Sequence, residues 1–162
     1  MKALLAALAL FVGINAHARS IQVGVAHVLP NVTIDGQPSD LVGVLNIDLL
    51  TSEITLRLFD DICGNITAAP GTITCKAAPV LEAEYVVPLQ KRKYGPCNTA
   101  IYAGKRDQRP VDGNLTVIKV EDDTHRTCDD VRLNLVKVEV VSKTAGMGGP
   151  SKAKVIEATK SY

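Results

Sequence analysis

Residues 53 to 58 read Glu53-Ile54-Thr55-Leu56-Arg57-Leu58, and the fold class follows from that alternation. Successive side chains of a β-strand point to opposite faces, so Ile54, Leu56 and Leu58 share one face while Glu53, Thr55 and Arg57 share the other. A helical period of 3.6 would not gather the three aliphatic residues on one side. The same two-residue period extends in both directions. Upstream, Leu45, Ile47 and Leu49 make one apolar face, and Ile21, Val23, Val25 and Leu29 make another. Downstream, Leu81, Ala83, Tyr85, Val87 and Leu89 alternate with Glu82 and Glu84, and further strands are predicted over 99–104, 114–121, 132–142 and 153–158.

Turn formers separate these runs: Asp35-Gly36, Pro70-Gly71, Asp112-Gly113 and the glycine-rich segment 145–150. No stretch beyond the N-terminal apolar run keeps helical apolar spacing free of β-branched residues. About eight short strands, punctuated by Gly and Pro and not separated by helices, predict an all-β fold. The expected architecture is an antiparallel β-sandwich, with a small barrel as the alternative. Leu115–Glu121 and Leu133–Glu139 share Leu, Lys, Val and Glu at corresponding positions. In both, the alternation slips by one residue, which predicts neighbouring strands that are buried on both faces or carry a β-bulge.

The N-terminus carries Lys2, then the apolar run Ala3 to Val12, then Ala16-His17-Ala18. A basic start, a short apolar core and small residues at an A-x-A site are the parts of a secretory signal peptide, predicted over 1–18. The apolar run is shorter than the roughly 20 residues a membrane-spanning helix needs. The expected product is a single β domain of residues 19–162, exported to the periplasm or outside the cell, with no membrane span after cleavage. The full chain has 18 basic and 17 acidic side chains, and loss of Lys2 with the leader balances them. A balanced charge argues against nucleic acid and anionic lipid and leaves a protein or a glycan as the expected partner. With no Trp, stacking on a ligand would fall to Tyr85, Tyr94, Tyr102 or Tyr162.

All four cysteines, Cys63, Cys75, Cys97 and Cys128, follow the leader, so the domain is predicted to be disulfide-braced. Three pairings are open to four cysteines, and Cys63–Cys75 with Cys97–Cys128 closes the shorter loops.

Two polar clusters stand out. The run Glu121 to Asp130 holds Asp122, Asp123, Asp129 and Asp130, whose carboxylates are the hard oxygen ligands calcium takes, with Asp60 and Asp61 as contributors from another loop. No other cofactor is indicated. Arg92, Lys105, Arg106 and Arg109 form the basic counterpart, an expected seat for phosphate, carboxylate or sulfated glycan. His27 is in phase with Val23 and Val25 and reads as a packed, hydrogen-bonded side chain. The chain has no G-x-S-x-G, H-E-x-x-H, phosphate-binding or dinucleotide-binding motif, and nothing assembles a nucleophile with a base. The expected function is a non-catalytic binding or structural module presenting loops from a rigid scaffold, with 64–74 as the displayed loop and proteinase inhibition as one form. Two alternatives compete with it: a small hydrolase with its site in the acidic loop, and an oligomerising envelope or surface component that pairs through an open sheet edge.

Overall fold

The computed structural model describes residues 24–60, 78–109, 111–124, 135–144 and 152–161. Their strands are β1 (Gly24–Leu29), β2 (Asn31–Ile34), β3 (Gln37–Ser39), β4 (Leu41–Asp48), β5 (Glu53–Asp60), β6 (Val80–Tyr94), β7 (Ala100–Gln108), β8 (Asn114–Asp122), β9 (Leu135–Thr144) and β10 (Lys152–Ser161). All ten belong to one antiparallel sheet, in the order β1-β4-β5-β6-β7-β8-β9-β10-β2-β3. Only Pro30 separates β1 from β2, yet β1 pairs with β4 and β2 with β10, near opposite ends of that order. Chain continuity therefore draws the ends together, β2 touches β4, β1 touches β10, and the sheet curls into a half-barrel.

This corrects the expected sandwich. Two stacked sheets require the chain to cross between them, whereas β4 to β10 each pair with their neighbour in sequence. Alternation is the same in either architecture, because it records that one face is buried and not which strand lies alongside. The two strands beyond the expected eight come from residues 31–39. Asp35 and Gly36 both have positive φ (52° and 78°) and join β2 to β3 in a hairpin, as a two-residue turn of this kind requires. Strands of four and three residues are too short to show a period.

The concave face holds the core. Leu45 pairs with Leu56 and Leu56 with Tyr85, while Ile47 pairs with Ile54 and Ile54 with Val87. Ile118, Val120, Val136, Val138, Val140 and Ile156 complete it from β8 to β10, all fully buried. Each such aliphatic side chain contributes about 1.5–3 kcal/mol by leaving water. The slip in β8 and β9 is not a bulge. The two strands pair without interruption and set Val117 opposite Val141 on the convex face, where both are half-buried. Bulges occur instead at Leu58/Phe59 and at Leu89/Lys91. Elsewhere on that face charges pair across strands, Lys119 with Glu139 at 3.8 Å and Lys137 with Glu157 at 3.3 Å.

Of the four cysteines, Cys97 is among the described residues. Cys63, Cys75 and Cys128, the expected leader 1–18 and the expected displayed loop 64–74 lie outside the described residues.

Candidate functional site

One end of the half-barrel is formed by the β4–β5 turn, the β6–β7 connection and the last residues of β8. Asp48 shapes the first: its Oδ1 accepts the N–H groups of Leu50 (2.8 Å) and Thr51 (3.0 Å), and these backbone bonds lower its carboxyl from the ordinary range. The second passes through a single 3₁₀ turn, Pro96–Asn98, in which Cys97 and Asn98 both adopt positive φ (59° and 66°). Register then sets Arg92 beside Tyr102, Tyr102 beside Val120 and Ala100 beside Asp122, all on the concave face. Arg92, Ala100, Tyr102 and Asp122, with Leu49, Tyr94 and Asn98, line a cavity of about 200 Å³. Pockets for whole small-molecule ligands run to about 300–1,000 Å³, so this one suits a single chemical group.

Asp122 lies in the cavity wall, 3% exposed. Its Oδ2 accepts a hydrogen bond from His27 Nε2 at 3.1 Å, and its Oδ1 accepts from the Thr124 amide at 2.9 Å and the Thr124 hydroxyl at 2.5 Å. Burial pushes the carboxyl up, but the bonds from His27 and Thr124 outweigh it and hold the group at about 2. Asp122 is therefore a carboxylate at neutral pH. Because His27 stands on β1 and Asp122 on β8, their bond crosses the interior and ties distant strands of the sheet together.

The rim has the opposite charge. Arg92 Nη2 donates to Tyr94 Oη at 2.8 Å, and its guanidinium carbon lies 5.6 Å from the Tyr94 ring centre and 6.0 Å from that of Tyr102. Two rings within cation–π range hold the guanidinium in place. Tyr102 is buried, which raises its phenol, and Arg92 pulls the other way. Among the described residues no carboxylate forms an ion pair with Arg92.

The chain matches no known protein-family model, no curated protein and no solved structure.

The remaining residues singled out from sequence do not gather here. Lys105 pairs with Val117 on the convex face, and Arg106, on the concave face, stands four residues along β7 from Tyr102, about 13 Å of extended strand. Arg109 is farther still, and its guanidinium holds Asp107 (2.8 and 2.5 Å), keeping that carboxyl at about 2. Of the basic four, Arg92 alone reaches the mouth. The acidic group divides as well. Asp122 turns inward, Asp123 accepts the Thr99 hydroxyl at 2.5 Å, and Asp129 and Asp130 lie outside the described residues. Asp60 ends β5 beside Leu41 and Val80, at the opposite end of the sheet from Asp122, and Asp61 is not described. Among the described residues no three His, Cys, Asp or Glu side chains converge as a metal site. Sequence reasoning found His27 as a packed residue but not its partner, since nothing in local spacing relates positions 95 residues apart.

Proposed function

We propose that this protein is an exported, non-catalytic binding module that takes an anionic group of its partner into the mouth of the half-barrel, against Arg92. The observation that carries this reading is the guanidinium of Arg92, oriented by Tyr94 and Tyr102 at a cavity sized for one group. A planar guanidinium suits carboxylate, sulfate and phosphate oxygens, and a preset orientation lowers the entropy lost on binding. Asp122 does not take the Arg92 guanidinium as its partner, because His27 and Thr124 already engage both of its oxygens.

The scaffold is braced by two disulfides, Cys63–Cys75 and Cys97–Cys128. Cys97 sits at the mouth end, where β8 also finishes, and Cys128 follows Thr124 by four residues, a reach of about 13 Å. Cys63 and Cys75 fall in sequence between Asp60 and Val80, and those two described residues pair at the far end of the 15-residue strand β6, which spans up to about 50 Å when extended.

Calorimetric titration of residues 19–162 with sodium acetate, sulfate and phosphate at constant ionic strength tests the reading. A hydrogen bond to a charged group contributes about 1.5–3 kcal/mol, so Arg92→Gln is expected to weaken anion binding by roughly 10- to 100-fold without lowering Tm. Equal affinity in wild type and R92Q, or no binding of any of the three anions, would contradict it.

A further inference from the structure

The wall of the half-barrel splits between β6 and β7, and Pro88 accounts for the split. The β6–β7 ladder runs from Tyr94↔Ala100 to Leu89↔Gly104 and stops. The Leu89 amide donates to Ser52 O (2.7 Å), toward β5, so by strand alternation the next residue, Pro88, turns its nitrogen toward β7. A proline nitrogen has no hydrogen to donate, and the ladder ends there. The Pro88 carbonyl does face β7, since a Cβ added to Gly104 would run into it. Beyond this point the β7 lip is capped: Gln90 Nε2 donates to Lys105 O at 3.2 Å.

The β6 lip is different. Val80 to Pro88 pair with β5 on one side, and among the described residues no strand pairs with the other. The same alternation turns the N–H and C=O groups of Val86 and Glu84 to that open side. Edges of this kind are usually kept short or blocked by Lys or Pro, whereas this lip carries Val80 and Leu81, each about half exposed (52% and 50%), with Glu82 and Glu84. Self-pairing of two copies through β6 would bring four carboxylates together, with only Arg57 of each copy, 2.6 Å from Glu84, to offset them.

We infer that the open edge of β6, from Val80 to Val86, is a strand-addition site for an extended segment of a partner protein with Lys or Arg at alternate positions. Backbone bonds to Val86 and Glu84 supply the pairing, and Glu82 and Glu84 select basic side chains across the new ladder. The site is separate from the mouth and does not depend on Arg92.

The test uses residues 19–162 and two blocked heptapeptides, one alternating Lys with Val and one alternating Glu with Val. The Lys peptide is expected to bind at least tenfold more tightly than the Glu peptide and to slow amide exchange at Glu84 and Val86, which is expected to be fast in the protein alone. Val86→Pro removes an open-side N–H while leaving the β5 ladder its bonds, and is expected to abolish binding with Tm nearly unchanged; should V86P fail to fold, the wild-type exchange data decide. Equal binding of the two peptides, no binding, or slow exchange at Glu84 and Val86 before peptide is added would overturn the inference. A dimer by sedimentation that protects those amides would overturn it as well, by making a second copy the occupant.

Discussion

Replacing Asp122 with Asn should remove a specific part of the protein's acid sensitivity. The Asp122 carboxyl is held at about 2, against an ordinary 3.8, by His27 and Thr124 working against burial. A shift of nearly two units corresponds to about 2 kcal/mol. The unfolded chain takes up this proton near pH 4 and the folded chain only near pH 2. The stabilisation is therefore complete above pH 4 to 5 and is lost as pH falls toward 2. Urea unfolding of wild type and D122N at pH 5, 4, 3 and 2 measures it. D122N should be less stable at pH 5, and the gap should narrow by about 2 kcal/mol by pH 2. Exposed groups such as Asp48 and Asp107 titrate alike in both proteins, so the difference isolates position 122. A gap that stays constant or widens with acid would refute the reasoning.

Further expectations follow from the packing. A Cβ at position 104 would lie 2.7 Å from Val87 Cγ2 and closer still to the Pro88 carbonyl oxygen, so Gly104→Ala is expected to cost about 1–3 kcal/mol in urea unfolding. Leu56→Ala empties a fully buried position between Leu45 and Tyr85 and is expected to cost about 2–5 kcal/mol, with Tm falling accordingly. Non-reducing peptide mapping should return Cys97–Cys128 and Cys63–Cys75, and reductant should lower Tm, since a native disulfide in a small exported domain is worth about 2–5 kcal/mol. A cross-linked peptide joining Cys97 to Cys63 or Cys75 would contradict the pairing.

The strands were legible in the sequence because a curled sheet buries one face, and burial of one face writes itself as a two-residue period. Leu45, Ile47, Ile54, Leu56 and Val87 sit where that period puts them, and the Asp35-Gly36 turn is a hairpin because its backbone needs positive φ. The arrangement of strands was not legible. Neither the bend at Pro30, which sends one extended segment to both ends of the sheet, nor the split at Pro88 alters the alternation on either side. The site was legible by residue type and not by grouping. Arg92 and Asp122 were singled out for opposite charges in separate clusters, and pairing of β6 with β7 and of β7 with β8 brings them to one cavity. Lys105, Arg106 and Arg109 are near Arg92 in sequence, yet β7 carries them away along its length.

The central claim, an anion seat at Arg92, is tested most directly by amide chemical-shift mapping of residues 19–162 during titration with sodium phosphate at constant ionic strength. The largest saturable shifts are expected at Arg92, Tyr94, Asn98 and Tyr102, and they should vanish in R92Q. Saturable shifts centred on Lys105 and Arg106, or shifts at the mouth that persist in R92Q, would contradict it.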